Sequence, residues 1–206
     1  MRRTLLLGTK NPGKVVEIRR ILSGLDLDLL PLSDFSQAPD VVEDGLTYHD
    51  NAVKKARALT AWSGQLTLTD DSGLEVAALG GQPGIYTARF GGPGLSSRER
   101  CLYLLERLRG VADDERQAVF RCVVVLMDPA GRMIMREGRC SGTIGHDLRG
   151  EGGFGYDPLF WLPEHGCTFA ELSPEQKDLS SHRAQAVRAM IPALTALTQG
   201  RPWPGE

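Results

Sequence analysis

The 206-residue chain contains few cysteines, and those it has lie far apart. No two of them form a C-x-x-C pair, and none has a spacing typical of a zinc site. The sequence therefore argues against a disulfide framework and favours isolated thiols in a reducing compartment. The four cysteines are Cys101, Cys122, Cys140 and Cys167.

Long apolar runs and an excess of either charge are also lacking. The N-terminal segment MRRTLLLGTK holds an apolar run that is too short for a signal peptide, and no segment approaches membrane-spanning length. The formal net charge of -2 provides no general basic field for nucleic acid, so a bound polyanion must meet a local cluster of cations. We therefore expect a cytoplasmic protein that binds neither membranes nor nucleic acid.

The apolar pattern alternates between strand-like and helix-like segments. Residues 4–7 form a short apolar run before a glycine, and apolar residues recur at helical spacing over 15–22. The run 118–128 gives the strongest strand signal and should form a hairpin with 133–140. This order predicts a single α/β domain over residues 1–200, followed by a loose C-terminal tail over 201–206.

The first candidate site is the segment G-T-K-N-P-G-K at residues 8–14, between a predicted strand and a predicted helix. It matches the first seven positions of the P-loop pattern, but Val15 stands where that pattern needs a hydroxyl. Backbone N–H groups at a helix start attract anions, and Lys10 and Lys14 add positive charge. A plain strand–helix connection also fits, but the two lysines favour a phosphate-binding loop.

The second candidate site is the stretch TLTDDSGLEV, residues 67–76. We predict a strand over 66–69 that ends at Asp70 and Asp71. Two carboxylates a few Å apart repel each other by about 1 kcal/mol or more without a counterion. With Glu43 they indicate a Mg²⁺ site, since carboxylate oxygens suit this cation. The alternative is ordinary turn chemistry, because Asp-Ser-Gly is a common turn composition.

Two further candidates lie near the C-terminus. The loop GGFGYDP at 152–158 is not a dinucleotide-binding fingerprint, because a proline follows where a helix is required. Its aromatic residues, Phe154 and Tyr156, could stack on a flat base or simply build a structural turn. Lys177 and the pair His182-Arg183 surround a predicted helix start, where the helix dipole disfavours cations, so they indicate either anion or carbonyl recognition or a solvated helix end.

These segments occur in one order along the chain: TKNPGK, a lone glutamate before Gly-Leu-Thr, DDSGLEV, GGFGYDP, and K-x4-HR. The series resembles the inosine/xanthosine triphosphate pyrophosphatase family over nearly the whole chain. The resemblance implies an α/β fold with a long mixed central sheet flanked by helices, and two lobes with a cleft between them. It also implies a Mg²⁺-dependent homodimer that hydrolyses ITP, dITP and XTP to the monophosphate and pyrophosphate.

Carried over by motif, the resemblance implies a role for each matching residue. Glu43 and Asp71 would bind the metal, with Asp71 as the catalytic proton acceptor and Asp70 in support. The implied substrate-binding residues are Thr9, Lys10, Asn11, Pro12, Gly13, Lys14, Ser72, Phe154, Gly155, Tyr156, Asp157, Lys177, His182 and Arg183. In this set the residues from 154 onwards would form the base pocket, and donors there would favour a 6-oxo purine over adenine.

Two positions depart from the family pattern. Lys10 stands where glycine is usual, and Asp50 replaces a more usual glutamate before Asn51, where it could cap a helix. Three other functions remain open at this level: a P-loop ATPase or kinase, a nucleotide- or RNA-binding module without chemistry, and a pyrophosphatase for modified pyrimidine nucleotides.

Overall fold

The computed structural model describes residues 2–203. Over these residues the chain forms one mixed sheet of seven strands in the order β2-β1-β3-β4-β5-β6-β7. The strands are β1 (Arg3–Leu7), β2 (Leu27–Pro31), β3 (Thr67–Val76), β4 (Gln117–Met127), β5 (Met133–Ile144), β6 (Phe160–Leu162) and β7 (Cys167–Thr168). The α-helices are α1 (Pro12–Ile21), α2 (Tyr48–Ser63), α3 (Ser97–Arg107), α4 (Pro174–Ser180) and α5 (His182–Thr198).

The pairing follows from the connections between strands. β1 lies parallel to both β2 and β3, and the connections that precede β2 and β3 contain α1 and α2, as parallel pairing requires. β6 is antiparallel to β5 and to β7. A tight turn follows β4, in which Asp128 N–H donates to the Arg132 carbonyl over 3.0 Å. The predicted α/β class with a mixed sheet and flanking helices is confirmed.

The described chain divides into two compact units. Unit 1 comprises residues 2–71, 122–138 and 183–203, and unit 2 comprises residues 72–121 and 139–182. The main core of unit 1 is built from β1, α1, β4 and α5, and includes Leu5, Ile18, Val124 and Met190. The core of unit 2 is aromatic, with Phe120, Phe160 and Phe169 packed on one another. The single domain over 1–200 stays a prediction.

Local capping residues mark the starts of several helices. Ser96 caps α3 and Ser173 caps α4, each in a capping box with the residue three positions later. Pro174 occupies the first turn of α4, where its missing N–H costs nothing. The final helix, α5, continues through Pro192.

The position of the paired acids in β3 differs from the prediction. The strand does not end at Asp70; it continues through both acids and through Ser72 and Gly73 to Val76. Asp70 is 2% exposed and Asp71 5% exposed, so both lie inside a buried strand. The prediction of a strand end at this point is wrong because cations from distant segments replace the solvent that a turn would have supplied.

The C-terminal segment was expected to be loose. Trp203 is buried in the core of unit 1, and the guanidinium of Arg132 lies 5.2 Å from its ring centroid. Residues 204–206 lie outside the described part of the chain. No helix within residues 2–203 is long and apolar enough to cross a membrane.

Candidate active site

The predicted phosphate loop is a surface turn between β1 and α1 in unit 1. The side-chain oxygen of Asn11 accepts hydrogen bonds from the N–H groups of Gly13 (2.9 Å) and Lys14 (3.3 Å), which caps the helix. Gly8 is required by close packing, because an added Cβ would lie 2.6 Å from the Thr69 methyl group. Two of the N–H groups that were predicted to meet phosphate therefore donate to Asn11, and the positive charge of the loop comes from its lysines.

Asp70 is the centre of a buried ion network within unit 1. Its Oδ2 lies 2.8 Å from Lys14 Nζ and 3.4 Å from Arg183 Nε. Arg183 also donates to Glu17 Oε2 over 2.5 Å, and Cys122 Sγ lies 3.9 Å from Asp70. Burial alone would raise the pKa of Asp70, but the charges of the neighbouring cations outweigh it and hold that pKa well below its usual value.

Asp71 and Glu43 meet at one buried ammonium. Lys55 Nζ lies 2.5 Å from Glu43 Oε1 and 3.8 Å from Asp71 Oδ1. Burial and the charge of Glu43 raise the pKa of Asp71 above its usual value, although Lys55 opposes this shift. Asp71 is therefore a stronger base than an ordinary surface carboxylate. Burial alone would lower the pKa of Lys55, but the surrounding carboxylates raise it by a larger amount. The pKa of Lys55 therefore lies above its usual value, and this side chain stays charged.

The two carboxylates that meet at Lys55, those of Glu43 and Asp71, are suitable ligands for Mg²⁺. Within residues 2–203 no three His, Cys, Asp or Glu side chains gather into a metal cluster. Mg²⁺ does not need such a cluster, because it usually takes one or two carboxylates and completes its shell with waters and substrate phosphates. The negative charge of Glu43 raises the pKa of Asp71, so the two carboxylates repel each other here. A second cation bound at this point would reduce that repulsion.

Apart from Arg183, which belongs to unit 1, the residues predicted for the base pocket lie in unit 2. Lys177 Nζ donates to Asp157 Oδ2 over 2.6 Å and lies 5.0 Å from the ring centroid of Phe154. The same Asp157 oxygen accepts from the Phe154 N–H over 2.8 Å, which fixes the turn. Gly153 allows this arrangement, since its φ is +71° and an added Cβ would lie 2.0 Å from the Asp157 carboxylate.

Three other predicted pocket residues have different surroundings. Tyr156 is 2% exposed, belongs to the core of unit 2 and donates its hydroxyl to the Thr87 carbonyl over 3.2 Å. Its ring is therefore a packing element and not a stacking surface. The carbonyl of Gly155 accepts from Cys101 Sγ over 3.3 Å. His182 stacks on Phe120, with ring centroids 4.6 Å apart and an angle of 8° between the planes.

The sequence profile of the Ham1 family matches residues 5–193. The chain belongs to the Ham1 family. It is 46% identical to a dITP/XTP pyrophosphatase of Desulforamulus reducens, over 94% of this chain and 96% of the relative. It is 49% identical to a dITP/XTP pyrophosphatase of Thermus thermophilus, over 92% and 90% of the two chains. A HAM1 protein from Coxiella burnetii has a similar solved structure, with a TM-score of 0.83, 37% identity, and coverage of 96% and 99%.

These findings confirm the resemblance predicted from the order of the motifs. Two departures from the family pattern can also be placed in this Ham1 chain. Asp50 takes part in the N-cap of α2, where its backbone N–H donates to Thr47 Oγ1 over 3.1 Å. Lys10 pairs with Asp40 at 2.5 Å on the surface of unit 1.

The sequence reasoning missed three buried polar residues of this Ham1 chain. Lys55 lies on the same face of α2 as Ala52, Ala56 and Leu59, so a lysine within an apolar helical stripe was the available signal. Asn51, one turn earlier, is fully buried and donates to Asp71 Oδ2 over 3.1 Å. Glu17, the partner of Arg183, is likewise buried on α1 and gave no comparable signal.

Proposed function

We propose that the protein is a nucleoside triphosphate pyrophosphatase that hydrolyses ITP, dITP and XTP to the monophosphate and pyrophosphate. The observation that carries this proposal is the meeting of Glu43 and Asp71 at one buried lysine, with Lys14 of the phosphate loop paired to the adjacent acid, Asp70. Relatives with 46–49% identity bear the name dITP/XTP pyrophosphatase. Position 15, where a P-loop enzyme carries its metal-binding hydroxyl, is a buried core valine.

In the proposed mechanism Asp71 accepts a proton from the attacking water. The water oxygen forms a bond to the α-phosphorus, the α–β anhydride bond breaks, and pyrophosphate leaves. The raised pKa of Asp71 suits this role, because a stronger base takes the proton more readily. Mg²⁺ held by Glu43 and Asp71 would supply charge neutralisation and a more acidic water.

The chain's own cations complete the proposed chemistry. Lys14 stabilises the charge that develops on the leaving pyrophosphate, and Thr9, Lys10 and Asn11 line the same loop. Asp70 keeps Lys14 in place through their 2.8 Å ion pair. Pro12 and Gly13 set the turn that presents these side chains, and Ser72 follows the acids directly along β3.

We further propose that residues of unit 2 select the base. Lys177 is a donor that can pair with a 6-oxo group, whereas the 6-amino group of adenine would face another donor. Phe154 offers an aromatic face beside Lys177, and His182 is held in orientation by Phe120. Arg183 was predicted for the same pocket; its bonds to Glu17 and Asp70 support a role in holding Asp70 instead.

The cofactor, the assembly and the location belong to the same proposal. The donor set supports Mg²⁺, and we propose a cytoplasmic homodimer on the resemblance to the family. Sedimentation at several protein concentrations tests the dimer directly, and a monomer at all of them would remove that part of the proposal.

The experiment that tests the function is pyrophosphate release from dITP, XTP, dGTP and dATP, with Mg²⁺ and with EDTA. We expect metal-dependent release from dITP and XTP and little from dGTP or dATP. Asp71→Asn should remove nearly all turnover while its circular dichroism spectrum stays unchanged. Release of orthophosphate from ATP would contradict the proposed reaction. Wild-type turnover in Asp71→Asn would contradict the proposed role of Asp71.

A further inference from the structure

Asn51 connects Asp71 to the backbone of the loop that carries Glu43 through one side chain. It lies in the first turns of α2 and is fully buried. Its Oδ1 accepts a hydrogen bond from the Gly45 N–H over 2.8 Å, and its Nδ2 donates to Asp71 Oδ2 over 3.1 Å. Gly45 lies two residues after Glu43, so the amide touches the Glu43 loop with one end and Asp71 with the other.

The Glu43 loop, residues 43–45, is fastened to the same helix at three consecutive positions. Glu43 pairs with Lys55 at 2.5 Å, and Asp44 pairs with Lys54. Gly45 packs so closely on the helix that an added Cβ would lie 2.6 Å from Asp50 Cβ and 2.7 Å from Asn51 Oδ1. The loop therefore takes its position from the first turns of α2, and Asn51 is the innermost of these attachments.

The amide of Asn51 satisfies both ends of this link. The Gly45 N–H needs an acceptor, and the Asp71 carboxylate needs a donor. An aspartate at position 51 would keep the acceptor but lose the donor, and it would add a negative charge beside Asp71. A leucine of similar size would offer neither. Because Nδ2–H holds Asp71 Oδ2, it leaves Oδ1 as the oxygen nearer to Lys55.

We propose that Asn51 is a positioning residue that orients the Asp71 carboxylate and fixes the Glu43 loop at the same time. This inference rests on the proposed pyrophosphatase function. Asn51 acts through the two parts that it holds, the Asp71 carboxylate and the Glu43 loop. Its loss should therefore impair Mg²⁺ binding and turnover, while the KM for the nucleotide changes little, because Asn51 is not one of the proposed substrate-binding residues.

The test compares Asn51→Leu and Asn51→Asp with the wild type and with Thr60→Val. Thr60 is a matched control, because it is a buried polar residue of the same helix, nine positions further along. Four quantities are measured: kcat, KM for dITP, the Mg²⁺ concentration that gives half-maximal activity, and the rise in Tm caused by Mg²⁺ alone. Circular dichroism checks that each variant is folded.

We expect Asn51→Leu to lose about 10- to 100-fold in kcat and to need about 10- to 100-fold more Mg²⁺, as is typical when a group that orients a metal ligand is removed. Its Mg²⁺-dependent rise in Tm should shrink accordingly. Asn51→Asp should lose a similar factor in kcat but keep the Mg²⁺-dependent rise in Tm, since it adds a carboxylate. Thr60→Val should match the wild type in all four quantities.

A purely structural role for Asn51 predicts a different result: a lower Tm without Mg²⁺ but unchanged kcat, Mg²⁺ requirement and Mg²⁺-dependent Tm rise. That outcome in either folded variant would overturn the inference. If the wild type and Thr60→Val release no pyrophosphate from any triphosphate, the proposed function fails. The Tm rise with Mg²⁺ alone still tests the positioning role in that case, because it needs no turnover.

Discussion

Replacing Arg183 by methionine should remove a large part of the stability of unit 1. The guanidinium is 2% exposed and bonds Glu17 at 2.5 Å and Asp70 at 3.4 Å, and both carboxylates are buried. Methionine keeps most of the aliphatic bulk, so the change removes charge and hydrogen bonds more than volume. Breaking a buried ion pair by removing one partner costs about 3–5 kcal/mol.

The ion pair that Asp70 keeps with Lys14 determines where in that range the loss of stability should fall. Asp70 keeps Lys14 at 2.8 Å, which compensates part of its charge, so we expect a loss of about 3 kcal/mol. For a chain of this length each kcal/mol lowers Tm by about 2–4 °C, which gives a decrease of roughly 6–12 °C. The exposed pair Arg2–Asp26 is a matched control, and Arg2→Met should cost no more than about 1 kcal/mol.

The loss should depend on pH with a defined sign. Asp70 has a folded-state pKa below its ordinary value, so its ion pairs add stability that is present above the unfolded pKa of about 3.9. This stability is lost as the pH falls through the lower, folded-state pKa. The difference between wild type and Arg183→Met should therefore be complete at neutral pH and should shrink in acid below about pH 4.

Urea unfolding at neutral and acidic pH measures these differences, and a double-mutant cycle with Glu17→Gln isolates the pair. We expect Arg183→Met/Glu17→Gln to be more stable than the sum of the single changes by about 1–3 kcal/mol, because the double variant leaves no Glu17 charge without its guanidinium. A loss below about 0.5 kcal/mol in Arg183→Met, within the range of ordinary surface changes, would refute the reasoning.

Three further changes test other parts of the site. Lys55→Met should lower turnover, and Mg²⁺ should raise its Tm more than that of the wild type, because Mg²⁺ then replaces the missing cation at Glu43 and Asp71; an equal or smaller rise contradicts this. Lys177→Met should raise the KM for dITP by roughly 10-fold or more with little change in kcat, as expected for one lost charged hydrogen bond, and an unchanged KM would exclude Lys177 from base recognition. Lys10→Gly should lower the free energy of unfolding by at most about 1 kcal/mol, since the ion pair of Lys10 with Asp40 is exposed. It should raise the KM for triphosphates, and most strongly at low salt, where charges are least screened. A KM that does not depend on salt would count against a contact between Lys10 and phosphate.

The local parts of the fold were predictable from the sequence because their causes are local. Asn11, Pro12 and Gly13 define the start of α1 through a cap and a fixed φ, and Ser173-Pro174 does the same for α4. These capping interactions join residues within three or four positions, so all their partners lie in one short segment of the sequence. The α/β class followed from the same alternation of strand and helix signals.

The ion network of Asp70 could not be predicted in the same way. Lys14 and Arg183 reach it from positions 56 and 113 residues away, and the Glu17–Arg183 pair spans 166 residues. Asp-Ser-Gly is typical of a turn, but the pairing of β3 and the distant cations override that preference. The metal role of Glu43 and Asp71, and the base-reading role of Lys177, stay predictions that the experiments above address.

The alkylation rate of a buried thiol can report the local opening of each unit. Cys122 lies beside Asp70 in unit 1, and Cys101 donates to Gly155 in unit 2; each is 1% exposed. Burial raises the pKa of both thiols to about 12, so in the closed protein they are hidden and almost wholly protonated. Because thiolate is the reactive form, alkylation of either cysteine must wait for local opening. Mass spectrometry of the two labelled peptides would thus measure the local opening rates of unit 1 and unit 2 separately in one sample.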